Sequence, residues 1–192
     1  WSNFGSALEG FAADFRTILI DQPGFGASDK PEVVGNYYRF AGDAVIALLD
    51  ELGLKKVHLL GNSLGGGTAM RIALTYPDRV GRLVLMGPGG LSLNLFHADP
   101  TEGVQRLMDF SSDPTREALK AFISTMVVDQ KLVTDELVEE RFADATAPGA
   151  REAMASMGWS FYNPETAEDG MLWREAHRLR HHTLLTWGRE DR

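Results

Sequence analysis

The stretch Val57 to Met70, VHLLGNSLGGGTAM, constrains this chain more than any other. A short apolar run, Val57 to Leu60, meets Gly61-Asn62-Ser63-Leu64-Gly65, and small helix-forming residues follow. A strand that reaches a serine between glycines and passes at once into a helix must turn sharply, which holds the hydroxyl out beyond the sheet. The turn brings backbone against backbone, so a side chain at Gly61 or Gly65 is expected to clash. Gly66 and Gly67 let the helix start tight against the sheet, and the N–H of Leu64 faces the position of an oxyanion. G-x-S-x-G also arises by chance in glycine-rich turns, and the flanking strand and helix are what give it meaning.

The rest of the chain supplies a sheet for that turn. Phe4 to Phe15 has helical apolar spacing, Arg16 to Ile20 (RTILI) reads as a buried strand, and Asp21 to Lys30 reads as a Pro/Gly loop. Phe40, Ala44, Val45, Leu48, Leu49 and Leu52 form one helix face stopped by Gly53. Strand Lys56 to Leu60, helix Gly65 to Tyr76 and strand Val80 to Met86 follow. This alternation predicts an α/β fold with a mostly parallel sheet and helices on both faces, with active residues beyond the carboxyl ends of the strands. After Gly87-Pro-Gly-Gly90 the alternation stops. Helices are expected from Asp113-Pro114, from Thr134 as N-cap through Ala145, and over Arg151 to Met157; Thr183 to Trp187 returns to strand character. Residues 1–91 and 174–192 are therefore read as the core, and 92–173 as a helical lid.

Composition removes several classes of function. The net charge is −8 with no basic run, which argues against nucleic acid. No apolar stretch approaches a membrane span, and no signal peptide is visible. Cysteine is absent, which excludes disulfides and thiolate metal sites and fits a cytoplasmic location. The histidines show no metal-binding spacing, so neither a metal nor a cofactor is expected. The chain opens on Trp1 and stops at Gly188-Arg-Glu-Asp-Arg192, directly after a strand, and reads as a fragment cut at both ends.

A serine nucleophile needs a base, and the base needs an orienting carboxylate, in the chain order Ser, acid, His for this kind of turn. Asp191 follows a strand and the turn Gly188-Arg189-Glu190, the right place for the acid, although a lone Asp there is also an ordinary solvated turn residue. Glu190 is its weaker competitor. The five histidines, His58, His97, His177, His181 and His182, all precede Asp191. His58 is expected to be packed within its strand or to face a helix, His181 and His182 to be on the surface, and His177 to be out of order for a base.

These residues lead to a resemblance. Ser2-Asn3-Phe4, Asp21-Gln-Pro-Gly-Phe-Gly-Ala-Ser-Asp29, Gly61-Asn-Ser-Leu-Gly-Gly-Gly67, Leu85-Met-Gly-Pro-Gly-Gly-Leu91 and Trp187-Gly-Arg-Glu-Asp-Arg192 together resemble the meta-cleavage product hydrolases. These are α/β-hydrolases that cut a carbon–carbon bond during aromatic-ring degradation. The pattern is most similar to the steroid-degrading members, which act on a ring-opened diseco-androstane dienoate, with the biphenyl-type members the alternative. The resemblance implies Ser63 as nucleophile, Asp191 as acid, Asn3 and Asn62 as polar active-site residues, and Arg141 as the lid arginine that grips the substrate carboxylate. It implies a small carboxylated dienoate as partner and is compatible with a homo-oligomer. The family's histidine, the tryptophan beside it and its H-G-x-G-type loop have no counterpart in these 192 residues, so the chain alone is expected to be inactive.

Periodicity leaves Arg141 open. It shares a face with Leu137 and Ala145, and a guanidinium turned inward needs an anion, either a substrate carboxylate or Asp144 three residues on. Two other functions compete with the carbon–carbon hydrolase. One is a carboxylesterase on the same fold, and the other is a non-catalytic binding module, against which Ser63 and Asp191 argue.

Overall fold

The computed structural model describes residues 4–91 and 100–191. Its sheet has three parallel strands in the order β1 (Val57–Asn62), β2 (Val80–Met86), β3 (His182–Thr186). The helices are α1 (Leu8–Ala12), α2 (Tyr37–Glu51), α3 (Leu64–Thr75), α4 (Glu102–Ser112), α5 (Arg116–Thr125), α6 (Asp135–Ala145) and α7 (Ala150–Tyr162). Parallel pairing requires a crossover, and α3 supplies it between β1 and β2. α3 packs on both of these strands and α2 packs on α3, so Ala69, Met70, Ile72 and Ala73 are buried between Leu83 and Leu85 of β2 and the inner face of α2.

The inner face of α2 is Tyr37, Tyr38, Ala41, Gly42, Val45, Ile46 and Leu49, displaced from the one hydropathy predicts. Ala44 is exposed, Leu52 is 38% exposed, and Phe40 and Leu48 are half-buried. The helix begins earlier than its aliphatic run because Asn36, itself buried, caps it through Tyr38 N–H (3.0 Å). Gly42 lets α3 approach closely, since a Cβ there would sit 3.2 Å from Ile72.

Arg16 to Ile20 forms no strand, against expectation. A strand exists by pairing, and this segment pairs with no strand among the described residues; Ile18 and Ile20 stay about 40% exposed. The helix expected over Phe4 to Phe15 is a 3₁₀ turn, Gly5–Ala7, followed by the single short α1. The loop after Ile20 is ordered by Asp21. Its carboxylate accepts from Ala27 N–H (3.1 Å), and its carbonyl accepts from the Ser28 hydroxyl (2.6 Å).

Among the described residues, 100–173 contains helices and turns and no strand. Thr134 caps α6 through Leu137 N–H, as its position predicts. α7 runs beyond the expected Met157 to Tyr162 and docks on the core. The Ser160 hydroxyl accepts from Tyr37 N–H (3.1 Å), the Ser156 hydroxyl accepts from Val33 N–H (2.8 Å), and the Phe161 ring lies 4.8 Å from that of Tyr38. Leu172 is fully buried. Arg71 of α3 donates to Asp169 O (2.6 Å) and Glu175 (2.8 Å), fixing the segment that returns the chain to β3.

Two outcomes follow from this packing. A methyl at Gly67 would lie 2.4 Å from the buried Tyr38 ring, so Gly67→Ala should cost about 2–3 kcal/mol in urea denaturation, whereas Gly10→Ala, whose Cβ meets nothing, should be neutral or stabilising by up to about 1 kcal/mol. Ala27 N–H holds the Asp21 carboxyl below its ordinary value. A depressed folded pKa gives stability that is present at neutral pH and lost as the pH falls below about 4. Asp21→Asn should therefore be less stable than the parent at pH 7, with the difference closing through that acid window.

Candidate active site

Ser63 stands on the turn between β1 and α3 with φ 49° and ψ −117°. Among the described residues it is the sole non-glycine with positive φ. That conformation is unfavourable for a side-chain-bearing residue and persists only where its surroundings impose it. Here they do. Ser63 N–H donates to Met86 O (2.9 Å), and Ser63 O accepts from Gly67 N–H (3.1 Å) and Gly89 N–H (2.8 Å).

The glycines are needed, though not all those expected. A Cβ at Gly61 would lie 2.3 Å from Gly65 O, one at Gly66 would lie 2.7 Å from Pro88, and one at Gly67 would strike Tyr38. At Gly65 the nearest atom is the Gln22 carboxamide at 3.1 Å, a side chain that can shift, so the clash predicted there is mild. The tight contacts fall at Gly61, Gly66 and Gly67.

Leu64 opens α3, so its N–H is among the first-turn donors without an intrahelical acceptor and belongs to the positive end of the helix. Asn62 is the last residue of β1, exposed beside Ser63 and in register with Met86. Asp191 follows β3 beyond a turn closed by its own N–H on Gly188 O (3.3 Å). Its carboxylate lies over the carboxyl end of β2, where a Cβ built on Gly87 would be 3.8 Å from Oδ2. Gly87 also donates to Thr186 O (2.9 Å). Ser63 and Asp191 thus lean on the consecutive residues Met86 and Gly87, at one edge of the sheet.

Arg141 lies on α6, half-buried like Leu137, Phe142 and Ala145. Asn3 and His97 lie outside the described residues. The other histidines sit away from the carboxyl edge. His58, expected to be packed or to face a helix, is exposed in the amino half of β1; its Nδ1 accepts from Arg82 N–H (3.0 Å) where the ladder shifts register, and its ring meets Phe15 edge-on. His182 begins β3, and His181, half-buried rather than on the surface, donates from Nε2 to Pro77 O (2.9 Å). His177 is exposed on a 3₁₀ turn before them. From His58 to Ser63 is five residues of strand, about 16 Å.

Sequence reasoning missed Tyr38 and Gly89 as supports of the turn. Gly89 was visible in the Gly87-Pro-Gly-Gly90 run, but that Tyr38 packs on both Gly67 and Gly89 has no local signal. Among the described residues no group of three or more His, Asp or Glu is placed to hold a metal, and no helix is long and apolar enough to cross a membrane.

Residues 1–163 match the model of the alpha/beta hydrolase fold family. The chain is 37% identical to a 2-hydroxy-6-oxo-6-phenylhexa-2,4-dienoate hydrolase of Burkholderia cepacia, and 37% identical to a 2-hydroxy-6-oxononadienedioate/2-hydroxy-6-oxononatrienedioate hydrolase of Comamonas testosteroni. Each match takes in 100% of this chain and 66% of the relative, so the chain spans just under two thirds of the length of these curated relatives. In structure it resembles the meta-cleavage product hydrolase of Pseudomonas fluorescens IP01, with TM-score 0.82 and 31% identity over 98% of this chain and 66% of that one. It also resembles the 2-hydroxy-6-oxo-6-phenylhexa-2,4-dienoate hydrolase of Rhodococcus sp. strain RHA1, with TM-score 0.84 and 26% identity over 98% and 67%. A strained serine turn and a carboxylate on one sheet edge, in a chain with these relatives, place it in the α/β-hydrolase family and, within that family, among the meta-cleavage product hydrolases.

Proposed function

We propose that the full-length protein hydrolyses a carbon–carbon bond in a 2-hydroxy-6-oxo-dienoate, the ring-fission product of an aromatic compound. The observation that carries this reading is the strained backbone of Ser63 on the same sheet edge as Asp191. The names of the relatives support the dienoate head. The steroid tail is supported by the sequence stretches alone, while the relatives' names speak for a phenyl or a second carboxylate, and rates on a steroid-type and a phenyl-type dienoate separate the two.

Cleaving a carbon–carbon bond requires an acceptor for the departing electron pair. Ketonising the dienol first provides one. Ser63 Oγ then adds to the C6 ketone, its proton passing to a general base, and the oxyanion takes the Leu64 N–H. Collapse breaks the C5–C6 bond, the pair leaves as a dienolate that is protonated, and an acyl-Ser63 ester remains. Water, deprotonated by the same base, hydrolyses the ester. Asp191 orients and stabilises the charged base. Asn62, and Asn3 by resemblance, hold polar groups of the substrate, and Arg141 takes its carboxylate. The helices α4 to α7 serve as a lid on this reading, α7 being the one docked on the core. The setting proposed is the cytoplasm.

Ser63→Ala in the full-length enzyme should abolish turnover of the coloured dienolate. Arg141→Ala should weaken kcat/KM on the dienoate by about 2–3 kcal/mol and barely alter hydrolysis of a neutral nitrophenyl ester. Equal losses on both substrates would mean that Arg141 only holds the cap together. The 192-residue chain assayed by itself should be slower than the full-length enzyme by several orders of magnitude, because its described histidines lie away from the carboxyl edge. Near-normal turnover by it would show that one of the five histidines serves as base.

A further inference from the structure

The loop Asp21 to Lys30 has no part in the chemistry above, yet it is fixed at many points. Asp21 closes it on Ala27 and Ser28, Phe25 N–H donates to Gln22 O (2.9 Å), and Gly24 N–H donates to Asp29 O (2.8 Å). Gly26 is obligatory, since a Cβ there would overlap the Asp21 carboxylate at 2.3 Å. From the opposite side the buried Tyr37 donates its hydroxyl to Pro23 O (3.0 Å). What this rigid loop presents to the sheet edge is Gln22.

The Gln22 carboxamide reaches the first turn of α3. Thr68, 3% exposed, places its hydroxyl 2.9 Å from Gln22 Oε1 and 3.2 Å from Leu64 O, and its one hydrogen is shared between them. The carboxamide nitrogen lies over Gly65. Thr68 thus bears on the Leu64–Gly65 peptide through its carbonyl and Gln22 through its nitrogen over Gly65, one peptide along from the N–H that faces the oxyanion. We propose that Gln22, acting through Thr68, is a positioning residue that aims the Leu64 N–H. The inference rests on the reading of Ser63 as nucleophile and goes beyond it. Oxyanion donors act through fixed orientation, and small misplacements cost large factors in rate.

The test uses the full-length enzyme with Gln22→Leu, the isosteric Thr68→Val, the pair combined, and Thr68→Ser. Turnover is measured on the dienoate and on a nitrophenyl ester, with the thermal midpoint recorded for each variant. An oxyanion forms on both substrates, so each single substitution should lower kcat about tenfold or more on both and leave KM within about twofold. The double variant should be no worse than the worse single, because the two groups act as one unit. Thr68→Ser, which restores the hydroxyl, should recover most of the loss, a result that mere helix stability would not give. Unchanged kcat, a loss confined to KM, or additive losses would overturn the proposal. If Gln22→Leu does not fold, Thr68→Val against Thr68→Ser decides from the other side of the contact. Ser63→Ala keeps the two readings apart: turnover surviving it defeats the nucleophile itself, whereas a dead Ser63→Ala beside an active Gln22→Leu defeats only the role of Gln22.

Discussion

The backbone of Ser63 is the constraint on which the rest depends. A residue at φ 49°, ψ −117° stores unfavourable energy, of order 1–3 kcal/mol, that the surroundings must offset. They do so by removing atoms and by adding bonds. Glycines at 61, 66 and 67 let the strand end, the helix start and the Pro88 loop close to distances that no Cβ permits. Hydrogen bonds to Met86, Gly67 and Gly89 then hold both peptide groups of the serine. Tyr38 fills the space beside Gly67 and Gly89 and is itself backed by Phe161. Burial of Tyr38 also pushes its phenol well above the ordinary range, which disfavours ionisation of this support.

Residues 86–90 join this turn to everything else at the carboxyl edge. Met86 accepts from Ser63, Gly87 donates to Thr186 of β3 and lies under Asp191, and Gly89 donates back to Ser63. Gly90 O accepts from Trp173 N–H (2.9 Å), and its positive φ of 81° and contact with Leu172 exclude any side chain. One short segment thus carries the registration of Ser63, of Asp191 and of the chain that returns from α7 to β3. Ser63 and Asp191, far apart in sequence, acquire a fixed relation because both lean on the same strand end.

What could be read in the sequence was what chemistry or hydrogen bonding imposes locally. The turn at Ser63 was legible because its glycines and its flanking strand and helix lie within fourteen residues, and β1, β2 and β3 were legible as apolar runs between turn signals. The cap of α6 was legible because Thr134 and the acids after it obey first-turn rules. What failed depends on partners. Arg16 to Ile20 has strand composition but no strand beside it. The face of α2 was displaced because Tyr37 and Tyr38 carry hydroxyls that hydropathy discounts, and Gly42 is buried for its smallness rather than its apolarity. α4 escaped notice as a mostly polar helix in which Phe110 alone is buried. At the carboxyl edge, the places of Ser63, Leu64 and Asp191 after their strands were legible, whereas the contacts of Tyr38, Gln22 and Thr68 arise only in the fold.

The helices α4 to α7 divide energetically in a way that bears on how a cap would work. α7 is tied to the core by its buried Ser160, by Ser156 and by Phe161, contacts that opening would expose at real cost. α5 and α6 are joined by Arg116 to Glu139, bidentate at 2.6–2.7 Å, and by Lys120 to Asp135 at 2.7 Å. These carboxyls sit below their ordinary values because of their cations, but both pairs are exposed, and exposed pairs contribute little in water. On these two helices Leu119 and Val138 alone are buried, while Phe122, Ile123, Leu137 and Phe142 stay half-buried. Elements held this lightly are the ones that open first. Arg141 stands on α6, in the lightly held part, while the wall beside Tyr38 stays fixed. On the proposed function, a carboxylate gripped by Arg141 would add a bond that exists only with α6 in place, so substrate binding itself would favour closure over the Ser63 edge.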